Sequence, residues 1–161
     1  MFNSQPKQWI LSFNKKSLRL IIFVTEQCNF RCVYCYEDFK IGKIEAEVLE
    51  GIYNYLEKRI PEISLLQVSY FGGEPLMNKK AIYDISSFAK KMCEENNVVY
   101  WGDITTNGYS LDFKTFERLF SLNLRTYQVT LDGSKETHDK LRPAINGKST
   151  FDKILNNLLD H

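Results

Sequence analysis

The sequence predicts an α/β fold: about four βα units with parallel strands, forming a partial parallel (β/α) barrel. Three observations carry this. Short runs dense in branched apolar residues recur at intervals of roughly 30 residues, and between them apolar residues recur at helical spacing. No segment reads as a linker, a low-complexity tract or an internal repeat, so the units belong to one continuous body.

The elements follow in order. Leu18 to Thr25 is nearly all apolar after Arg19, the pattern of a strand buried on both faces in a parallel sheet. Ile44, Val48, Ile52, Tyr55 and Leu56 stripe a helix over 44–58, which Pro61 helps to end. Leu65 to Phe71 is the second strand. Ile82, Ile85, Ala89 and Met92 mark a helix over 78–95. Val98 to Thr105 is the third strand, weakened where Gly102 and Asp103 interrupt it. Phe113, Phe116, Leu119 and Phe120 mark the third helix, and Tyr127 to Leu131 the fourth strand. Ser149, three residues before Asp152, is a capping-type start for a last helix carrying Phe151, Ile154, Leu155 and Leu158. Four units do not close a barrel, which takes about eight.

Composition narrows the function classes. Hydrophobic residues at 43% and charged residues at 25% are those of a folded soluble chain. A formal charge of +1, from 21 basic and 20 acidic residues, offers no electrostatic case for nucleic acid or a membrane surface as partner. Lys15, Lys16 and Arg19 read as a solvated group. The longest apolar run, Leu20 to Val24, is too short to span a bilayer. The first residues lack the charged-then-apolar layout of a secretory signal, which predicts a cytoplasmic protein. Three of the four cysteines stand within eight residues, a clustering that speaks for metal or redox chemistry rather than disulfides.

Those cysteines, Cys28, Cys32 and Cys35, lie in the connection from Glu26 to Lys43, far longer than an ordinary βα loop. The loop leaves the C-terminal end of a parallel strand, where α/β barrels build their active sites. On a regular helix, positions 28 and 35 would stand about 10.5 Å apart along the axis. The segment must therefore curl to bring its thiolates around one centre. A [4Fe–4S] cube normally takes four thiolates, and this loop offers three, which would leave one iron open to an outside ligand. A zinc site recruiting Cys93 is the competing reading. Cys93 falls beside the apolar stripe of the second helix, which favours a packing thiol.

The segment C-N-F-R-C-V-Y-C, with Tyr34 as the aromatic before the last cysteine and Tyr36 and Glu37 after it, resembles the signature of the radical SAM superfamily. Further motifs stand at each later strand end. Phe71-Gly72-Gly73-Glu74-Pro75 resembles the family's glycine-rich motif; its glycines let backbone approach a ligand, and the Glu74 carboxylate suits an ammonium. Thr105-Thr106-Asn107-Gly108 ends the third strand. Thr130-Leu131-Asp132-Gly133 with His138-Asp139-x-x-Arg142-Pro143 resembles the S-x-D-G … H-D-x-x-R-P segment of the peptide-modifying branch, with Thr130 in place of the serine.

The resemblance implies a six-unit barrel of which this chain holds about four units, and a [4Fe–4S] cluster on Cys28, Cys32 and Cys35. It implies S-adenosylmethionine (SAM) as second cofactor, with Tyr34 against its adenine and Gly72, Gly73 and Glu74 holding its amino group. Thr106 and Asn107 would border it, Thr130 would reach its ribose and Arg142 its carboxylate. A guanidinium matches a carboxylate with two parallel hydrogen bonds, so Arg142 is physically apt. No catalytic side chain is implied beyond the cluster ligands, and His138 reads as a loop histidine bonded to backbone. The implied activity is reductive cleavage of SAM to a 5′-deoxyadenosyl radical, in the SPASM or anaerobic sulfatase-maturase-like branch. The substrate would be a peptide or protein and the electron donor a flavodoxin or ferredoxin. Residues 1–17 would be an N-terminal extension and 18–161 a partial radical SAM domain, without C-terminal strands or an auxiliary-cluster domain. The alternative is an iron–sulfur and SAM-binding module that needs a partner for catalysis.

Overall fold

The computed structural model describes residues 15–160, so most of the expected N-terminal extension, residues 1–14, and His161 lie outside it. The elements run β1 (Ser17–Phe23), α1 (Ala46–Arg59), β2 (Leu65–Phe71), α2 (Lys79–Glu95), β3 (Val99–Thr106), α3 (Phe113–Ser121), β4 (Leu124–Val129), α4 (Lys135–Leu141) and α5 (Phe151–Leu159). Two single 3₁₀ turns, Ile60–Glu62 and Pro75–Asn78, follow α1 and precede α2. The strands form one parallel sheet in the order β1-β2-β3-β4. This is the expected partial (β/α) barrel wall.

The core lies between one face of the sheet and the helices. Leu66, Val68 and Tyr70 of β2 and Ile104 of β3 meet Leu56 of α1 and Ile82, Ile85 and Ala89 of α2, all with essentially no exposed surface. Cys93 is buried in this cluster, as a packing thiol would be. Tyr70 is satisfied inside the core by Ser86 Oγ at 2.7 Å. Pro61 falls in the 3₁₀ turn just past α1, where its missing N–H ends the α-ladder.

Four expectations need correction. β1 is not buried on both faces: Ile22 packs inward, whereas Ile21 and Phe23 are 60% and 49% exposed. In a barrel-type wall the second face looks into the lumen. On that face Asp103 Oδ2 accepts from Gln67 Nε2 and Ser69 Oγ, both at 2.7 Å, and Arg19 Nε donates to Ser69 Oγ at 3.0 Å.

β4 begins at Leu124, earlier than expected, because Leu124 enters the core despite its polar neighbours. Opposite it, β3 shifts register between Gly102 and Asp103, and a Cβ at Gly102 would press Leu124 Cγ at 3.1 Å. The interruption is thus a strand irregularity that seats β4.

Residues 135–141 form α4, so His138 is helical rather than in a loop. Ser134 caps this helix by accepting from Thr137 N–H. Finally, Ser149 does not cap α5. Its hydroxyl donates to Asp139 Oδ2 at 2.6 Å, and Asp139 Oδ1 accepts from the Thr150 and Phe151 amides at 2.9 and 3.0 Å. The cap comes from α4.

Candidate functional site

The cysteine loop is built from three sides. Its ends are zipped together: Ile44 N–H donates to Val24 O, and Thr25 Oγ1 donates to Gly42 O at 3.1 Å. Gln27 Nε2 reaches across to Phe39 O at 2.7 Å. Arg31 folds back onto the carbonyls of Cys28 and Phe30 at 2.9 and 2.6 Å, with its guanidinium 4.1 Å from the Phe39 ring. Phe30 is the loop's buried anchor, edge-on to Tyr109.

The second side is the turn after β2. Gly73 N–H donates to Thr25 O and Glu74 N–H to Gln27 O. A Cβ on Gly72 would lie 2.3 Å from Thr25 O, and one on Gly73 2.0 Å from Glu26 O. Gly72 also has a φ of 131°, a conformation that favours glycine. Both glycines are therefore required by the close approach of the cysteine loop's own backbone.

The third side is the segment after α4. Arg31 N–H donates to Pro143 O, Val33 N–H to Leu141 O and Ile145 N–H to Asn29 O, each at 2.9 Å. Residues 141–145 thus run alongside the cysteines like a partner strand.

Glu74 is fully buried beneath these pieces. Its Oε1 accepts from Leu76 N–H at 2.9 Å and Thr106 Oγ1 at 2.7 Å, and its Oε2 accepts from Asn107 N–H at 2.7 Å. Burial pushes its pKa up, and those three donors pull it back only in part. The carboxylate expected to suit a ligand ammonium thus already holds three donors of the protein itself. Glu74 is fully buried, and the turn presents Gly72 and Gly73 to the cavity at the strand ends.

A cavity of about 290 Å³ opens at the strand ends, and Cys28, Cys32 and Cys35 all line it. Facing them are Gly72, Gly73, Thr106, Asn107, Thr130 and Arg142, with Tyr34 at the rim. Of the expected cluster ligands and SAM contacts, Glu74 alone does not line the cavity. Thr105, quoted from sequence as part of the third strand-end motif, also lines the cavity, as does Gln128, which sequence reasoning missed because nothing but its place near a strand end marks it.

Asp132, quoted only as part of a motif, turns out to hold Tyr34. The phenol donates to Asp132 Oδ2 and accepts from Arg142 Nη1. His138 is buried, and its Nδ1 accepts from Asp132 N–H at 3.2 Å. Burial, with the Arg142 charge nearby, holds its pKa below the usual imidazole value. A larger apolar groove of about 770 Å³ runs along β1 and α1, and no cysteine lines it.

Burial raises the Cys28 thiol to about 11 and also raises Cys32, where the Arg142 charge opposes the shift. Thiolates here need a positive counter-charge, which ligated iron supplies. Among the described residues no three His, Cys, Asp or Glu side chains converge tightly enough to share one ion. Arg142 adds a second point of fit. Its Nε is buried and has no hydrogen-bond acceptor among the described residues, as a donor reserved for a ligand anion would be.

No helix among the described residues is long and apolar enough to cross a membrane. A cysteine-type anaerobic sulfatase-maturating enzyme of Clostridium novyi is 31% identical over 157 residues, covering 89% of this chain and 40% of that protein. A GTP 3′,8-cyclase of Aliarcobacter butzleri is 31% identical over 147 residues, covering 89% and 42%. The chain thus spans less than half the length of these curated relatives. A solved structure of native anSMEcpe with bound AdoMet and Kp18Cys peptide shares the fold, with a TM-score of 0.74 and 23% identity over 89% of this chain and 40% of that one. The maturase relative matches the branch expected from the sequence. The family model for the radical SAM superfamily matches residues 22–160, the stretch that carries every strand-end motif described above, and the chain belongs to that superfamily.

Proposed function

We propose that this chain holds a [4Fe–4S] cluster on Cys28, Cys32 and Cys35, binds SAM beside it, and serves the modification of a peptide or protein. The observation that carries the reading is that all three thiols open onto one cavity shared with Gly72, Gly73, Thr106, Asn107, Thr130 and Arg142. The cluster, when bound, supplies one electron for reductive cleavage of SAM to a 5′-deoxyadenosyl radical.

The chain's own groups hold and orient the ligand. Arg142 offers Nε to the carboxylate of SAM while Nη1 stays on Tyr34. The Gly72-Gly73 backbone stands where its amino group would lie, and the Thr130 hydroxyl meets the ribose. Tyr34, tethered at the rim, stacks against the adenine. Glu74 acts from behind, fixing Thr106 and Asn107. On this reading residues 18–161 form the front part of a radical SAM domain, in the cytoplasm, with a flavodoxin or ferredoxin as donor.

Anaerobic reconstitution with iron and sulfide, then reduction with SAM present, tests the proposal. Release of 5′-deoxyadenosine and methionine is expected. A cluster spectrum without SAM cleavage would reduce the chain to a binding module. Zinc uptake with no iron–sulfur absorption would overturn the site itself.

A further inference from the structure

Cys28 differs from the other two loop cysteines in what meets its sulfur. Its Sγ accepts from the Phe30 backbone N–H at 3.3 Å and lies 3.9 Å from Asn107 Nδ2, on a strand end 79 residues away. The Asn107 amide is not free to turn over. Its Oδ1 accepts from Tyr109 N–H at 3.0 Å, and its Nδ2 donates to Asn29 Oδ1 at 2.8 Å. A flip would set two carbonyl oxygens against each other and aim an oxygen at the sulfur. The Asn107 backbone is pinned as well, by its bond to the buried Glu74 carboxylate. An N–H donor is thus fixed beside one sulfur by three separate contacts.

We infer that Asn107 tunes the cluster: its side-chain amide and the Phe30 amide together stabilise charge on Cys28 Sγ and raise the cluster's reduction potential. The inference rests on the cluster reading proposed above. Its physical basis is that adding an electron increases the negative charge on the cluster sulfurs, and donors aimed at those sulfurs favour the reduced form. Asn107 is a positioning residue here, acting through a ligand sulfur. The role is separate from bordering SAM, because it concerns the amide nitrogen and Cys28 alone. Asn29 orients the amide and is not itself the donor.

The test is a potentiometric titration of the reconstituted protein, followed by electron paramagnetic resonance without SAM. Asn107→Ala should lower the midpoint potential by up to a tenfold change in the reduction equilibrium, about 59 mV for one electron. Asn107→Asp, nearly isosteric, should lower it further because an anion replaces the donor. Asn29→Ala keeps the donor but loosens it, and removes the Asn29 Oδ1 that lies 4.0 Å from Cys28 Sγ, so its midpoint should fall by less than that of Asn107→Ala. An unchanged midpoint in Asn107→Ala would overturn the inference. So would an equal fall in Asn29→Ala, which would assign the effect to loop geometry. If neither Asn107 variant assembles a cluster, wild-type protein carrying ¹⁵N in its asparagine side-chain amides should show nitrogen coupling to the reduced cluster, and its absence would overturn the inference. Wild-type protein that takes up no iron would sink the site reading instead.

Discussion

The Tyr34 hydroxyl accepts a hydrogen bond from Arg142 Nη1 at 2.7 Å across 108 residues of sequence, and donates one to Asp132. An arginine only donates, so the direction of both bonds is settled by chemistry. The phenol therefore braces the guanidinium from the cavity rim. Tyr34→Phe should weaken SAM binding about fivefold, roughly 1 kcal/mol for one partly solvated bond, while leaving iron content unchanged. Calorimetric titration of SAM into the reconstituted protein, beside an iron assay, checks both halves. A variant that loses iron would place Tyr34 in the cluster's scaffold instead.

Gly73 and Gly133 give opposed expectations from geometry. Gly133 has a φ of 73°, yet an added Cβ would touch only Thr137 at 3.9 Å. Gly73→Ala would drive its Cβ into Glu26 O and Gln27 O, backbone atoms that cannot swing away. Gly133→Ala should cost about 1 kcal/mol of stability and keep its iron. Gly73→Ala should displace the cysteine loop and lose most of its iron, as read by iron content after reconstitution.

The Glu74 carboxylate accepts three bonds and cannot be replaced isosterically without harm. Glu74→Gln presents an NH₂ group where a donor already points, leaving a buried N–H without an acceptor. A loss of about 1–3 kcal/mol follows, measurable by denaturant unfolding. The same stability in the variant would mean that the carboxylate is held in the acid form.

Asp139 carries a pH dependence. Burial raises its pKa, but the bonds from Ser149, Thr150 and Phe151 outweigh that and hold it below the usual aspartate value. A carboxyl lowered on folding contributes stability above its unfolded value, and that stability is lost as pH falls through its folded one. Asp139→Asn should therefore lose about 1 kcal/mol at neutral pH, and the gap to wild type should close on acidification below about pH 4. Thermal unfolding against pH for the two proteins measures it.

Cysteine substitutions separate ligands from packing. Cys32→Ala should abolish cluster assembly. Cys93, buried in α2 among Ile82, Ile85 and Ala89, should keep its iron when changed to Ala and lose about 1–2 kcal/mol of stability from the small void. Iron loss in Cys93→Ala would revive the four-ligand alternative.

The fold was largely legible because its signals are local. Branched apolar runs marked β1 to β3, and helical stripes marked α1 to α3. β4 was placed late because Leu124 stands among polar residues, and only its partner across the Gly102 irregularity shows that it enters the core. α4 was missed because its turns carry little apolar stripe; His138 is its one buried residue. At the candidate site, residue types and order came from sequence, since strand ends gather by topology alone. The inward aim of Glu74 and the bracing of Tyr34 by Asp132 did not. Each depends on which partner a side chain meets once distant segments are in place, and periodicity carries no such information.

The pairing of the cysteine loop with residues 141–145 sets an order of events during synthesis. Cys28, Cys32 and Cys35 leave the ribosome early, but the carbonyls of Leu141 and Pro143 that hold Arg31 and Val33 arrive more than a hundred residues later. Until then the thiols sit on a segment with one wall missing. On the cluster reading proposed above, a cluster would therefore meet its complete loop only after α4 has emerged.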